Sequence, residues 1–276
     1  MSFFKQFPTI NYDLKKDGSV MRMVNIFRNV RPLQNFVDNP SLYKFYEVKN
    51  GERPDTVSQR LYGTPDFYWT FFVINEFLHD GYKVWPLSQE QLFEYIKEHY
   101  NGYAITTRPV IVRTGDGTIS EFRDSLSGRY ELGETITGSV SGAIGTLTKK
   151  NIDMNQLVIQ DMQNTNRYSG DGALNNNNYE FLIGSNTQDT VESYEVFNYA
   201  DAPHHYYITD EDGIQREYTN MTFINQEDVA TPAASLSYVS NRQYVNDLNE
   251  ERSRIRVINP NFIGRFIENF ESLLNE

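Results

Sequence analysis

The apolar positions along this chain change period several times, and each change predicts an element. "LYKFYEV" (42–48) alternates, with Tyr43, Phe45 and Glu47 on one face and Leu42, Lys44, Tyr46 and Val48 on the other, so a strand is expected. "NGERP" supplies turn chemistry. A helix is predicted next, with Asp55 as its N-cap, Val57 and Leu61 at i, i+4, and Gly63 as a left-handed C′ residue. The second helix opens on Thr64 as cap, Pro65 at N1 and Asp66 in the first turn. It sets Phe67, Tyr68, Trp69, Phe71, Phe72 and Phe77 within eleven residues. A soluble helix seldom carries aromatic surface on so many faces, so this one requires more than one apolar partner. Ser88 and Gln91 form a capping box for a third helix through Leu92, Tyr95 and Ile96 to about Tyr100.

Beyond it, "AITTRPVIVRTGDG" is β-prone. From about Gly128 to Asn198, short β-like runs ("ETITGSV", "AIGTLTKK", "QLVIQDMQ", "YEFLIGS") are separated by Gly, Ser and Asn clusters, the spacing of a small all-β module. "HHYYITDEDGIQREYTNMTF" reads as a hairpin, and "QEDVATPAAS" as a linker. "YVSNRQYVNDLNEE" is amphipathic and "RSRIRVI" a short strand that pairs back onto the domain. The last helix opens with Asn259 as cap and Pro260 at N1, then carries Phe262, Ile263, Phe266, Ile267, Phe270, Leu273 and Leu274 as a broad apolar stripe. Each such side chain contributes roughly 1.5–3 kcal/mol when buried, so this helix must dock. By contrast, residues 1–44 read as a weakly structured arm, with "MRMVNIFRNVRPL" either a short strand or extended and prolines 32 and 40 limiting any helix.

Charge removes one class of partner. With 37 Asp and Glu against 25 Lys and Arg among 276 residues, and no basic run longer than a Lys pair, nucleic acid is not expected. The absence of cysteine excludes disulfide and thiolate chemistry. The longest strongly apolar run, "FYWTFFVI", is far short of the ~20 residues of a membrane span, and no secretory leader is recognisable, so synthesis in a cytoplasm without autonomous export is expected. The 18 Phe, 19 Tyr and 2 Trp suit either a Phe-rich core or large protein interfaces.

Catalytic chemistry is hard to find. His204 and His205 are adjacent in a predicted strand, so they should point to opposite faces and not share a metal. "GSVSGAIGT" lacks the Gly-Lys-Ser/Thr ending of a phosphate loop and reads as turns in a sheet. No acidic residue sits in a plainly apolar setting that would tune it for acid catalysis. No enzyme activity, cofactor or metal is expected.

Residues 45–77 resemble a LysM domain, a βααβ fold, through the strand "YEV", Val57 and Leu61, Tyr62-Gly63 and Asn75. LysM modules commonly bind N-acetylglucosamine polymers. The chain departs from them in its longer, charged "NGERPD" loop and in the aromatic surplus of the second helix, which a sugar could not cover whole. "VNIFRNV", "RPDTVSQRLYGTPDFYW", "HHYYITDEDGIQREY" and "NEERSRIRVINPNFIGRFIENF", in that order, resemble the LysM-containing baseplate wedge subunits of contractile-tailed, T-even-like bacteriophages over about 1–110 and 200–276. The resemblance implies a structural virion protein, six copies per baseplate, joining neighbouring wedge proteins around the hub, with LysM as a protein-docking module; a glycan partner is not expected.

The expectation is therefore an α+β chain in four parts. These are an arm (1–44), a LysM-like βααβ unit with an extra helix and strand (45–118), an inserted small all-β module (119–200), and a hairpin, helix, strand and C-terminal amphipathic helix (201–276). Interface candidates are Ile26, Phe27 and Arg28 on the arm, Tyr68, Trp69 and Phe72 on the aromatic helix, and Phe262, Phe266 and Phe270 on the terminal helix. Each patch has a second reading as intramolecular core. The alternative function is a peptidoglycan-binding module using 50–56 and 77–82 as its groove.

Overall fold

The computed structural model describes residues 7–25, 39–107, 110–113, 119–123, 126–164, 180–209, 213–218 and 235–275. Its elements begin with β1 (Thr9–Tyr12), β2 (Met21–Val24), β3 (Tyr43–Glu47), α1 (Pro54–Tyr62), α2 (Trp69–Ile74) and α3 (Gln89–His99). Then come β4 (Tyr103–Thr107), β5 (Val110–Arg113), β6 (Ile119–Arg123), β7 (Thr135–Gly138), β8 (Ile144–Asn151), β9 (Gln156–Gln163), β10 (Phe181–Gly184) and β11 (Thr190–Asn198). The chain ends through β12 (Pro203–Thr209), β13 (Gln215–Tyr218), β14 (Ser235–Ser240), α4 (Asn241–Ser253), β15 (Arg254–Ile258) and α5 (Ile263–Asn275). Separate helices and sheets make this an α+β protein. It divides into two units, Met1–Leu92 with Asp247–Glu276, and Phe93–Asn246.

In the first unit β3 pairs antiparallel with β15, Tyr46 opposite Ile255 and Lys44 opposite Val257. The strand expected from "RSRIRVI" does pair back, across some two hundred residues. Its inner face, with Ile255 and Val257, packs on Val48, Val57, Phe71, Leu78 and Trp85. Helix α1 has Arg53 at the N-cap and Pro54 at the first helical position, so the cap falls two residues before the expected Asp55. Proline is preorganised for that position, and Asp55 falls in the first turn where its charge suits the dipole. Gly63 closes the helix at φ 74°, a conformation costly for any side chain. Behind it, the Tyr46 hydroxyl (2.9 Å) and Lys49 N–H (3.1 Å) donate to buried Glu52, which also pairs with Arg60. Trp85 Nε1 donates to the Glu52 carbonyl at 2.8 Å, so this knot ties strand, loop and first helix together.

The aromatic segment is not one helix. A 3₁₀ turn at Pro65–Phe67, α2, and a second 3₁₀ turn at Glu76–Leu78 replace it, and Asn75 is extended between the last two. The Thr64 hydroxyl accepts from Asp66 N–H at 3.3 Å, as its cap role predicts. Asn75 breaks the helix because its amide bonds elsewhere: Nδ2 donates to the carbonyls of Phe71 (2.8 Å) and Arg256 (2.9 Å), and Oδ1 accepts from Arg256 N–H (2.8 Å). Ser88 and Gln91 form the expected reciprocal capping box before α3. A 3₁₀ turn at Pro260–Phe262, capped by Asn259, leads into α5.

In the second unit six strands close a barrel in the order β10-β11-β4-β9-β8-β7, filled by Ile105, Tyr130, Ile136, Leu147, Leu157, Ile159, Leu182 and Val191. An internal repeat, Glu-x-x-x-Gly-Ser-x-Ser/Thr at 134–141 and 180–187, sits on the paired strands β7 and β10. Each buried glutamate crosses over to cap the turn after the other strand. Val140 (3.0 Å) and Ser141 (2.9 Å) N–H donate to Glu180, and Asn186 (3.1 Å) and Thr187 (3.3 Å) N–H donate to Glu134. The glycines are needed for this approach: a Cβ would stand 2.5 Å from Glu180 Oε2 at Gly138 and 2.7 Å from Glu134 Oε2 at Gly184.

The hairpin of β12 and β13 forms as expected, and β14 adds a third strand, Tyr238 opposite Tyr206. Ser235, read as the end of a linker, and residues 238–240, read as the start of the amphipathic segment, are thus strand, and α4 begins at Asn241. The histidines also depart from expectation. The register shifts between Pro203 and His205, and this bulge brings the two rings together, Nδ1 to Nδ1 2.9 Å apart, with His204 stacked on Tyr244.

Candidate functional site: uncovered apolar surfaces

The aromatic segment 64–78 divides its rings among three surroundings. Phe71 is fully buried beneath the β3–β15 sheet, its ring 6.2 Å from Trp85. Trp69 turns the opposite way, 4.8 Å from Phe270 and 6.3 Å from Phe266, within a cluster completed by Phe7, Ile258 and Leu274. Trp69, Phe266 and Phe270 are therefore core residues of this chain, each 3% exposed or less. Phe262 is half-buried against the same cluster. The broad stripe of α5 and the second face of the aromatic segment satisfy one another.

A third set stays open. Half-buried Tyr68 and Phe72 flank Tyr82, which is 55% exposed, with ring centroids 6.0 Å and 5.4 Å from it. Phe77 is exposed as well. Partial burial raises the Tyr82 hydroxyl above its ordinary pKa, and neighbouring Tyr68 and Asp55 add to the shift. The start of α2, α2 itself and the 3₁₀ turn after it at Gly81–Val84 thus build one aromatic shelf. Of the nine interface candidates, Tyr68 and Phe72 lie on it; Ile26, Phe27 and Arg28 lie outside the described residues.

A second surface was missed in the sequence. Strands β1 and β2 form an antiparallel ribbon, Ile10 opposite Met23 and Tyr12 opposite Met21. Strand alternation puts these four on one face and Thr9, Asn11, Arg22 and Val24 on the other. The apolar four are 37%, 51%, 50% and 38% exposed for Ile10, Tyr12, Met21 and Met23, so among the described residues this face keeps a large share of its apolar surface open. A lone two-stranded ribbon is marginal in water, and such a face calls for a partner. The signal was present: "TINY" and "MRMV" alternate around "DLKKDG", where Gly18 has φ 83° and its N–H donates to Asp13.

Among the described residues no three His, Asp or Glu side chains converge as a metal site, and no helix is long and apolar enough to cross a membrane. The chemistry on offer is adhesive: flat rings, flexible methionines, and few convergent polar groups.

Comparison with known proteins finds a likeness over the first part of the chain. Residues 1–108 match the family described as "Base plate wedge protein 53". Over 94 residues the chain is 29% identical to "Baseplate wedge protein gp53" of Enterobacteria phage T4, an alignment covering 33% of this chain and 47% of that protein. The chain thus spans about half the length of this curated relative. The resemblance to phage baseplate wedge subunits is borne out over those residues. They include both open surfaces and one barrel strand, β4; residues 200–276 lie beyond the match.

Proposed function

We propose that this chain is a structural subunit of a contractile phage-tail baseplate, resident in the virion, where it joins neighbouring inner-wedge proteins around the hub. The observation that carries this reading is that the family match spans both uncovered surfaces, the ribbon face of Ile10, Tyr12, Met21 and Met23 and the shelf of Tyr68, Phe72 and Tyr82. Such surfaces bury large area on a partner with few torsions to fix. The β3–α1–α2–β15 arrangement supports a LysM-like unit whose second strand is supplied late in the chain. In this reading LysM is a docking module, the partners are other wedge proteins and the adjacent wedge, and six copies serve one baseplate. Several modest contacts make ring closure favourable once flanking subunits are in place, because each further contact forms at high effective concentration.

The test is complementation of tail assembly by variants of the two surfaces, with chito-oligosaccharide titration alongside. Loss of assembled tails in Tyr12→Ser/Met21→Ser and in Phe72→Ser/Tyr82→Ser chains that still fold, with no saccharide binding by the wild type, is the expected result. Saccharide binding that Tyr82→Ser abolishes, with tail assembly untouched, would replace docking with glycan recognition.

A further inference from the structure

The β3–β15 sheet has a face turned away from its core. Tyr43, Phe45 and Glu47 lie on it opposite Ile258, Arg256 and Arg254. Phe45 is 55% exposed. The arginines lean diagonally across the sheet: Arg254 sits 4.7 Å from the Phe45 ring centre and Arg256 5.2 Å from that of Tyr43. Tyr43 and Phe45 meet edge to face at 5.7 Å. Both guanidinium groups therefore lie over the aromatic side chains of β3. Neither forms an ion pair with a described residue.

The two edges of this sheet differ. On β15 the Asn75 amide occupies both backbone groups of Arg256. Those groups therefore point away from β3, which makes Arg256 and Phe45 a non-hydrogen-bonded pair. The N–H and C=O of Phe45 must then point outward as well, along the edge of β3 that no described strand pairs with. No described residue bonds to them.

We propose that this edge accepts an extended acidic segment of a neighbouring protein as a third strand, its alternate carboxylates resting on Arg254 and Arg256. Strand addition supplies main-chain bonds, and side chains two residues apart supply register. Charge complementarity selects the occupant. On this face Arg254 and Arg256 outnumber Glu47, a locally cationic patch on a chain of net charge −12. A long polyanion such as nucleic acid would be repelled by the rest of the surface, whereas a short carboxylate-bearing strand meets only the cationic patch. A second copy pairing β3 with β3 would bring like arginines together. The identity of the neighbour as a baseplate protein rests on the function proposed above; the edge and its charge do not.

The test uses the full chain and a blocked, fluorescent eight-residue peptide of alternating glutamate and valine, with a lysine-for-glutamate peptide and a backbone N-methylated peptide as controls. The glutamate peptide is expected to bind saturably and to slow exchange of the Phe45 amide. Its affinity should fall at least tenfold with either control peptide and in the Arg254→Glu/Arg256→Glu chain. The Arg254→Gln/Arg256→Gln chain, with unchanged thermal unfolding, should lie between. Equal binding of glutamate and lysine peptides, unchanged affinity in the variants, no effect at Phe45, or self-association of the chain through this edge would each overturn the proposal. Wild-type chain found in tail particles without peptide binding would remove only this inference; peptide binding by a chain never found in tails would remove the baseplate reading and leave the edge.

Discussion

The side-chain amide of Asn75 lies against the backbone of Arg256 as a neighbouring strand would, donating from Nδ2 at 2.9 Å and accepting at Oδ1 at 2.8 Å. One residue ends the aromatic helix and closes one edge of the sheet. Asn75 is 2% exposed, so its loss leaves buried backbone groups unpaired. Asn75→Ala should destabilise the first unit by about 2–4 kcal/mol, read by urea unfolding. A loss under ~1 kcal/mol would mean that water replaces the amide there.

Trp69 and Phe270 hold α5 to the aromatic segment. Truncating either to alanine should cost about 3–5 kcal/mol, as large-to-small changes in buried aromatic cores do. Tyr82→Ser, at an exposed ring, should cost under ~1 kcal/mol while impairing tail assembly. Thermal unfolding of the two variant classes separates core from docking surface.

The barrel repeat predicts matched effects. Gly138→Ala and Gly184→Ala each push a methyl into the opposing carboxylate, so each should destabilise the second unit by roughly 1–3 kcal/mol. Unequal effects, with one site tolerant, would show that the two glutamate-capped turns are not equivalent.

His204 carries a pH dependence. Burial, and then the nearby His205, depress its pKa below the ordinary histidine value, while Glu217 acts in the opposite direction. The neutral ring is therefore favoured by folding. This contribution is fully present above about pH 6.5 and is lost as pH falls through the depressed folded value. Replacing His204 with Gln should flatten the stability profile of the second unit on the acid side of neutrality, followed by circular dichroism. A profile as steep as that of the wild type would assign the dependence to other groups.

Local grammar was legible in the sequence. Thr64, Gly63, Ser88 with Gln91, and Asn259 before Pro260 act at the termini where their chemistry put them. Adjacent Tyr68 and Trp69 had to face different ways on a helix, but which one meets its own chain depends on Phe270, two hundred residues on. Barrel closure was likewise hidden, because β4 pairs with β9 and β11 rather than with its neighbours in sequence. The Glu134 and Glu180 repeat was written in the chain and read only as two short β runs, with turns after the first. The histidine pair misled because alternation holds in regular strands, and a bulge suspends it.

A docking subunit of a tail baseplate must be present in the finished particle. Quantitative mass spectrometry of purified tail particles tests it most directly. The chain is expected there at a fixed ratio of six per tail, with no assembled tails recovered from the ribbon-face variants. Purified, infectious particles that contain none of it would contradict the account.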